Sequence, residues 1–357
     1  MKALILAGGR GTRLRPLTHT QNKHLLSVGN EPMIYRVLRD LIDAGIHDII
    51  VNLNAGDTSV PEAISRKQWD AKISYVEQDE PNGMMYPIIL ARDIIGDDKF
   101  ILHAGDNVLS GGLKKYIQEF EHNESDAHLL VTKVPNPERF GVAEVSGNRL
   151  VRTVEKPKEF VSDLAVTGIY MYNSNVFKAM EQVKPIDPEN KGRAEFFPPP
   201  VHQWLVDNGY KVTVTEVTGW WKDTGKPEDL LLANRLVLER ETNFENLGSV
   251  DENTKIEGAV KIGKGSRVVN SRIVGPTSIG ENVVIENAEI GAFTSVGDGS
   301  VIKNAIIENS ILMNGVIIQN VKTSLCDCIM GSNSQVTETQ KQNKASLFLG
   351  DDSTLLL

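Results

Sequence analysis

The amino-terminal part of the chain carries a glycine turn followed closely by cations. The run LILAGGRGTRLRPLTHTQNK, residues 4–23, begins with the apolar pattern of a strand and continues into the turn GGRG. Glycines allow backbone N–H groups to come close to phosphate oxygens. Arg13 can bind two phosphate oxygens through its guanidinium group, and Lys23 adds a point charge. These residue types in this order indicate a loop that binds a polyphosphate.

Two well-known phosphate-binding motifs do not fit this stretch. A P-loop needs GxxxxGK followed by serine or threonine, and the stretch does not contain it. The dinucleotide fingerprint GxGxxG would need a glycine at the position of Leu14. A structural turn with solvated arginines is the alternative interpretation.

The elements around the turn predict an α/β fold. Up to about residue 240, short apolar runs alternate with helical patterns, which is typical of a mostly parallel, mixed sheet covered on both faces. Ligands bind such sheets at the carboxyl ends of the strands, where the loops after Leu6 and Ala104 lie. The predicted strands are residues 2–6, 49–52, 73–77, 100–104, 128–133, 141–145, 165–172 and 211–217.

A different pattern begins after about residue 244. Apolar residues recur every five or six positions, and Ile262, Ile279 and Val296 are spaced 17 residues apart. A sustained period of this kind predicts a parallel β-helix, in which each coil stacks its apolar residues on the next. Unrelated short strands are the alternative. We therefore expect an α/β domain at 1–240, a β-helix at 245–340 and a tail at 341–357, which either caps the β-helix or is mobile.

Composition limits the classes of partner. The chain has 357 residues, enough for two domains, and a net charge of −9, which argues against a dedicated nucleic-acid binder. No apolar run approaches the roughly 18 residues of a membrane span, and the start does not have the pattern of a signal peptide. Two cysteines cannot form a disulfide framework. We expect a cytoplasmic protein with no nucleic-acid or membrane partner.

The glycine turn and the residues around it form a longer motif. The stretch LAGGRGTRLRPLT, residues 6–18, followed by Lys23, resembles the signature of the sugar-phosphate nucleotidylyltransferases. The whole chain is similar to the long form of that family, which carries a Rossmann-like catalytic domain and a left-handed β-helix and acts on glucose 1-phosphate and dTTP. The resemblance implies that the sugar phosphate attacks the α-phosphorus of a nucleoside triphosphate and that pyrophosphate leaves.

The resemblance also implies roles for individual residues. The implied catalytic residues are Arg13, Lys23, Asp106, Lys156 and Asp223. The implied nucleotide-binding residues are Leu6, Gly8, Gly9, Gly11, Thr12, Arg13, Gln78 and Gly83. The implied sugar-phosphate-binding residues are Gly141, Glu155, Lys156, Val166 and Lys191. The glutamine amide can both donate and accept, which suits the imide edge of thymine or uracil. An exposed strand-end residue is the alternative for Gln78, and a surface ion pair for Glu155 and Lys156.

Two aspartates are expected to hold Mg²⁺. Asp106 follows the apolar run 100–104, and Asp223 lies in the glycine-flanked turn WWKDTG. Magnesium takes hard oxygen ligands and commonly uses one or two carboxylates besides phosphate oxygens. A turn or cap role is the alternative for each aspartate taken alone.

Three segments depart from the family pattern. MMYP at 84–87 stands where smaller residues begin a helix, Lys191 replaces a phosphate-binding arginine, and FFPPP at 196–200 replaces a more polar stretch. These changes leave the implied catalytic residues in place. They bear on the choice of substrate more than on the reaction.

Other functions remain open to different degrees. A second, acyltransferase site in the β-helix would commonly use a histidine base, and none of the seven histidines lies there. Cys326 and Cys328 share a strand face and are expected to be small buried side chains. The remaining alternatives are a uridylyltransferase acting on another sugar 1-phosphate, such as an amino sugar, and a non-catalytic nucleotide-binding protein. Self-association through the β-helix is expected.

Overall fold

The structure is a computed structural model that describes residues 1–187, 192–241, 243–338 and 344–356. Two compact units divide the chain. One unit consists of Met1–Gly9 and Ile34–Asp223, and the other of Arg10–Met33 and Thr224–Leu357. The first unit is α/β, whereas the second contains the β-helix.

The elements before the β-helix follow the predicted alternation. The strands are β1 (Lys2–Leu6), β2 (Ser27–Val28), β3 (Glu31–Pro32), β4 (Asp48–Asn54), β5 (Lys72–Gln78), β6 (Phe100–Ala104), β7 (Asn107–Leu109), β8 (Ala127–Lys133), β9 (Gly141–Ser146), β10 (Arg149–Glu155), β11 (Leu164–Tyr172), β12 (Val212–Glu216) and β13 (Trp221–Asp223). The α-helices are α1 (Met33–Asp43), α2 (Ser59–Ser65), α3 (Tyr86–Leu90), α4 (Arg92–Ile95), α5 (Lys114–His122), α6 (Asn175–Gln182), α7 (Pro198–Asp207) and α8 (Pro227–Glu241). Short 3₁₀ turns lie at Thr12–Leu14, Leu17–His19, Lys23–Leu25 and Pro137–Arg139.

The first unit is built on a nine-stranded mixed sheet within the described residues. Its order is β5-β4-β1-β6-β11-β8-β12-β10-β9, parallel from β5 to β6 and largely antiparallel beyond. The central strands are buried along their length, since β6 reads FILHA with every residue buried. This burial on both faces is typical of parallel strands covered by helices.

Aromatic side chains fill the core between the sheet and α6. The Phe100 ring lies 5.7 Å from the Tyr172 ring and 6.2 Å from the Phe177 ring, measured between centroids. All three side chains are buried. Offset contacts of this kind stabilise a core beyond the area that they bury.

All eight predicted strands are present, with bounds within two residues. The strand β10 was not among them because its sequence, RLVRTVE, exposes charged residues near the edge of the sheet. Arg152 there donates to Glu144 on β9 at 2.7 Å. A strand with one charged face has little apolar signal, so its sequence does not separate it from a loop.

The second unit contains a parallel β-helix. Its strands are β14 (Glu245–Asn246), β15 (Ser249–Val250), β16 (Lys255–Glu257), β17 (Val260–Ile262), β18 (Arg267–Val269), β19 (Arg272–Val274), β20 (Thr277–Ile279), β21 (Val284–Glu286), β22 (Glu289–Ile290), β23 (Ser295–Val296), β24 (Val301–Lys303), β25 (Ile306–Glu308), β26 (Ile311–Leu312), β27 (Ile317–Gln319), β28 (Ser324–Cys326), β29 (Ile329–Met330), β30 (Gln335–Thr337), β31 (Lys344–Ala345), β32 (Phe348–Leu349) and β33 (Thr354–Leu356). Each strand pairs in parallel with the third strand after it, which gives three ladders.

The coil period matches the sequence spacing at first and then drifts. Ile262 pairs with Ile279, and Ile279 with Val296, both 17 residues apart. Asparagines at the corners take left-handed backbone angles, as at Asn270 (φ 45°) and Asn287 (φ 51°). Asparagine tolerates this region better than most residues. The Asn270 side chain also donates to that of Asn287 at 2.6 Å, so the corners stack.

The last coil corrects one expectation. Residues 344–356 were expected to belong to a separate tail, yet β31, β32 and β33 each extend one of the three ladders. Val336 pairs with Leu355 across 19 residues, and this longer step hid the repeat in the sequence. The β-helix therefore continues to the end of the described chain.

Within the described residues, no helix combines the length and apolar character needed to cross a membrane.

Buried histidines in the first unit make its stability depend on pH. Burial lowers the pKa of His128 to about 4 and the pKa of His202 to about 3. Both stay neutral in the fold, where His202 Nε2 lies 2.7 Å from the Tyr172 hydroxyl. An unfolded histidine has a pKa of roughly 6.5, so below that pH the unfolded chain takes up protons that the folded chain does not.

We therefore expect the free energy of unfolding to fall as pH drops from 6.5 towards 4.5. Each of the two histidines contributes up to about 1.4 kcal/mol per pH unit. Urea unfolding followed by tryptophan fluorescence measures this, because all four tryptophans lie in the first unit. His128→Gln should flatten the slope. His122→Gln, on an exposed part of α5, is the matched control and should keep the wild-type slope. An unchanged slope in His128→Gln would contradict the assignment.

Candidate active site

The glycine turn leaves the sheet beside the loop that carries Asp106. Strand β1 lies between β4 and β6, and Leu6 is paired with Asn52 and with Ala104. Beyond the strand ends, Ala7 N donates to Asn52 O at 2.9 Å and Gly105 N donates to Leu6 O at 3.0 Å. The carboxyl ends of neighbouring parallel strands therefore place the Gly8–Gly9 turn and Asp106 at one edge, as the sequence predicts.

Gly8 and Gln78 are in direct contact. The Gln78 side chain is 4% exposed, and its Nε2 donates to the Gly8 carbonyl at 3.1 Å and to Asn54 Oδ1 at 3.2 Å. A Cβ at position 8 would lie 2.4 Å from that Nε2 and 2.9 Å from Asn52 Oδ1. Glycine is thus required here by close approach of a side chain, and Gln78 is not an exposed strand-end residue.

A small two-stranded sheet places the two aspartates predicted to bind metal at neighbouring positions of the backbone. Strand β13 pairs with β7, and Asp223 lies opposite Asn107, the residue that follows Asp106. Asp106 is 7% exposed. Two carboxylates at the carboxyl end of a strand supply hard oxygen donors, which fits a divalent cation of the magnesium kind. Among the described residues no group of three or more histidine, cysteine or acidic side chains has the arrangement of a metal site.

Asn107 and Trp221 orient Asp106. The Trp221 indole N–H donates to Asn107 Oδ1 at 2.7 Å and to the Thr167 carbonyl at 3.0 Å. An amide whose oxygen is held in this way points its nitrogen in the other direction, and Asn107 Nδ2 donates to Asp106 Oδ1 at 3.1 Å. Neither residue was predicted to belong to the site, although Asn107 follows Asp106 and Trp221 lies two positions before Asp223.

Gly141 and Glu155 form the second contact between predicted residues. They pair across β9 and β10, and a Cβ at position 141 would lie 2.9 Å from Glu155 Oε2. Burial raises the pKa of the Glu155 carboxyl, and the Lys156 charge opposes part of that rise. The carboxylate also lies near the buried Tyr170, where burial and the Glu155 charge both raise the pKa of the phenol. A surface ion pair therefore does not describe Glu155.

Lys156 directly follows β10, and Val166 lies on β11. Lys156 is exposed, has a left-handed backbone angle (φ 42°) and donates its N–H to the Phe140 carbonyl at 3.0 Å. Val166 is half-buried on β11 opposite Val131. The predicted Lys191 lies outside the described residues.

The two departing segments of the first unit pack against each other. Phe196 N donates to Asn82 O at 2.8 Å, and Met85 N donates to Phe196 O at 3.0 Å. The rings of Tyr86 and Phe196 stack with centroids 6.2 Å apart. Met85 is fully buried in the core. The unusual residues at 84–87 and at 196 therefore form one packed cluster beside Gly83.

The predicted residues Gly11, Thr12, Arg13 and Lys23 belong to the second unit. Gly11 has a left-handed backbone (φ 58°), and its carbonyl accepts from Leu14 N at 2.9 Å and from Thr18 Oγ1 at 2.8 Å. A Cβ at position 11 would lie 3.0 Å from Lys23 Cβ. The segment therefore folds back so that Gly11 meets Lys23, while Thr12 and Arg13 are exposed on the first 3₁₀ turn.

Comparison with known proteins identifies the family of this chain. Residues 2–240 match the nucleotidyl transferase family. The chain belongs to that family. A glucose-1-phosphate thymidylyltransferase of Streptomyces griseus is 38% identical over 356 residues, which cover 99% of this chain and 98% of that protein. One of Streptomyces antibioticus is 40% identical over 75% of this chain and 74% of that protein.

A solved structure supports the same assignment to the nucleotidyl transferases. The crystal structure of a Bacillus anthracis protein assigned as a glucose-1-phosphate thymidylyltransferase, in complex with sucrose, matches with a TM-score of 0.61 and 36% identity. The match covers 69% of this chain and 98% of that one. Members of this nucleotidyl transferase family generally use a divalent metal, which agrees with the donor set of Asp106 and Asp223.

The packing at Gly83 predicts a large effect of a single methyl group. Gly83 has φ 93°, and a Cβ there would lie 2.6 Å from Phe196 O and 2.7 Å from Phe196 N. Gly45 has φ 89° with no neighbour within 4 Å of such a Cβ, so Gly45→Ala carries the backbone strain alone. We expect Gly45→Ala to cost about 1–2 kcal/mol and Gly83→Ala about 2–4 kcal/mol of unfolding free energy. Urea unfolding of both variants measures the difference, and equal losses would contradict the packing.

Proposed function

We propose that this protein joins a sugar 1-phosphate to a nucleoside triphosphate and releases pyrophosphate, with glucose 1-phosphate and dTTP as its preferred substrates. The observation that carries the proposal is the pairing of Asp223 with Asn107, which brings the two aspartates together beside the glycine turn. The choice of substrates is supported by the relatives named glucose-1-phosphate thymidylyltransferases, one of which matches this chain over almost its full length.

The triphosphate is assigned to the glycine turn and to the residues that follow it. Leu6, Gly8, Gly9, Gly11 and Thr12 would line the phosphates with backbone N–H groups, because glycine permits that approach. Arg13 would bind two phosphate oxygens, and Lys23 would offset the charge that builds up during transfer. The net charge of the chain is −9, so these local cations are what an anionic substrate can use.

Asp106 and Asp223 would hold Mg²⁺. Their two carboxylates meet the preference of that ion for hard oxygens, with phosphate oxygens completing its shell. When bound, the ion would neutralise phosphate charge and favour pyrophosphate as a leaving group. Asn107 and Trp221 would act as positioning residues, because their hydrogen bonds hold the Asp106 carboxylate in one orientation.

The sugar phosphate is assigned to the surroundings of Glu155. Its carboxylate would accept hydrogen bonds from sugar hydroxyls, and Gly141 leaves the space above it open. Lys156 would bind the phosphate, Val166 would contact the sugar, and Lys191 would add a second cation. These residues orient the phosphate oxygen towards the α-phosphorus, and such alignment can replace a covalent nucleophile.

The base is assigned to Gln78 and Gly83. Two bonds from Nε2 fix the plane of the Gln78 amide, so its Oε1 can accept from the imide N–H of thymine or uracil. One methyl group distinguishes the two bases and is worth about 1–3 kcal/mol. Some use of UTP is therefore compatible with a preference for dTTP.

The β-helix is proposed to assemble copies of the chain. Its exposed apolar side chains are Phe244 (66% exposed), Leu247 (60%), Ile306 (42%) and Phe348 (40%). We propose that they contribute contacts between copies, since contiguous apolar groups on a surface mark interaction sites. Sedimentation velocity should give an oligomer, and Leu247→Lys should weaken it. A monomer at micromolar concentration in the wild type would reject the proposal.

Pyrophosphate release tests the proposed reaction. With Mg²⁺ present, dTTP, UTP, CTP, ATP and GTP are each combined with glucose 1-phosphate and with amino-sugar 1-phosphates. We expect dTTP with glucose 1-phosphate to react fastest and UTP to follow. A faster reaction of UTP with an amino sugar would support the uridylyltransferase alternative. Binding of dTTP by calorimetry without turnover in any mixture would indicate a non-catalytic protein.

Two arginine variants test the assigned charge within the same assay. Arg13→Ala should lower kcat by about 10²–10³, the usual loss when one preorganised charge stabiliser is removed. Arg15→Ala is the matched control, because Arg15 is exposed in the same segment and has no assigned role. Equal activities of the two variants would remove Arg13 from the mechanism.

A further inference from the structure

The segment Arg10–Met33, called here the signature segment, has little regular structure of its own. It contains three 3₁₀ turns and the short pair β2 and β3. Backbone of this kind needs outside contacts to hold one conformation. Within the second unit those contacts come from α8 and from the β-helix.

The first anchor holds the end of the β2–β3 hairpin. Asn30 Nδ2 donates to Ser278 O and Val296 O, both at 2.9 Å, on successive coils of the β-helix. The buried Asn234 on α8 accepts from Gly29 N at 2.8 Å and from Ser295 Oγ at 3.0 Å. These bonds fix the segment near residue 30.

The second anchor is Asp351 in the last coil. Its Oδ2 accepts from Thr20 Oγ1 at 2.6 Å, and its Oδ1 accepts from Gln21 Nε2 at 3.3 Å. Oδ1 also accepts from Ser332 N at 2.7 Å, one coil below. Three donors therefore face one carboxylate. An alanine would leave all three donors without this acceptor, whereas an asparagine could keep the contacts, because the Thr20 hydroxyl can also accept from an NH₂ group.

Asp351 makes one contact that recurs in an earlier turn of the β-helix and others that do not recur there. At Gly297-Asp298, Asp298 Oδ1 accepts from Glu281 N at 2.7 Å, one coil below. Asp351, which follows Gly350, makes the equivalent bond to Ser332 and also accepts from the signature segment. A Cβ on Gly350 would lie 3.1 Å from the Pro16 carbonyl oxygen, so the backbones approach closely here.

The residues held by Asp351 lie next to the cations proposed to bind phosphate, Arg13 and Lys23. Thr20 and Gln21 connect Thr18, which donates to Gly11 O at 2.8 Å, with Lys23, whose Cβ packs on Gly11. The carbonyl of Gly11 also begins the turn that carries Arg13. Restraining residues 20 and 21 therefore restrains both ends of the stretch between Arg13 and Lys23.

We propose that Asp351 of the last β-helix coil is a positioning residue for nucleotide binding, because it holds Thr20 and Gln21 and so fixes the loop of Arg13 and Lys23. The inference rests on the proposed function for its kinetic part. Its structural part, the restraint of the loop, can be tested without any activity.

Four variants distinguish the loss of the Asp351 contact from general damage to the fold. Asp351→Ala and Thr20→Val remove the contact from its two sides, and Thr20→Val leaves the last coil untouched. Their double variant closes a mutant cycle. Asp298→Ala is the matched control, since Asp298 lies in an earlier coil and accepts the equivalent bond from the coil below it.

Hydrogen–deuterium exchange of peptides covering residues 10–26 gives the structural readout. We expect faster exchange in Asp351→Ala and Thr20→Val, and wild-type exchange in Asp298→Ala. The kinetic readout is the KM for dTTP, expected to rise about tenfold in both anchor variants, because hydrogen bonds to charged groups are among the strongest. The KM for glucose 1-phosphate should stay within about twofold, since its assigned residues are elsewhere, and the double variant should resemble the single ones.

The two proposals fail in different ways. A wild type without turnover rejects the proposed function, and the exchange comparison alone then decides the positioning role. Equal exchange and equal KM for dTTP in Asp351→Ala and Asp298→Ala overturn the inference. A rise in both KM values together with a lower melting temperature also overturns it, because that pattern indicates damage to the fold and not a displaced loop.

Discussion

The hydrogen bonds between three parallel strands are the constraint on which the candidate site depends. Strand β1 is held between β4 and β6 in a register that pairs Leu6 with Ala104. That register determines where each chain leaves the sheet, so the glycine turn and Asp106 emerge at one edge. A shift of one residue in the pairing would turn the side chains to the other face of the sheet.

Close packing around this edge explains why particular residues stand there. Gly8 and Gly141 each lie where a Cβ would collide with a side chain that carries a proposed role. Gly168 has φ 74° and lies against Ala104 and Asn107, at the point where β11 is irregular. These glycines have a steric function as much as a conformational one, because they leave room for Gln78, Glu155 and Asn107.

The β-helix is stabilised in a different way, by short strands and corners that repeat along the sequence. Short strands stack apolar residues in successive coils, as where Ile273 pairs with Ile290 and Ile285 pairs with Ile302. The corners use asparagine and glycine in left-handed conformations, which other residues adopt only at a cost. Because a repeat of this kind presents the same turn again and again, one corner can acquire a new contact without altering the others. The corner at Asp351 shows this, since it keeps the bond to the coil below and gains bonds to Thr20 and Gln21.

The sequence by itself determined the classes of structure and the chemical character of the site. Apolar alternation identified eight strands of the first sheet, and the 17-residue spacing identified the β-helix, because both patterns depend on neighbours in the chain. The glycine turn with its cations followed from residue types, whereas the roles of the two aspartates and Glu155 came from the family resemblance and stay predictions. The charged strand β10 and the lengthened last coil escaped detection, because their patterns are weak or irregular.

Only the tertiary structure decided which of these residues meet. The pairing of Asp223 with Asn107 spans more than a hundred positions of the chain, as does the bond from Trp221. The contact of Thr20 with Asp351 spans 331 positions, and nothing local at either residue indicates it. The packing of Phe196 on Met85 turns two separate departures from the family pattern into one cluster. Such contacts arise from sheet register and coil number, which are properties of the whole chain and not of any short stretch.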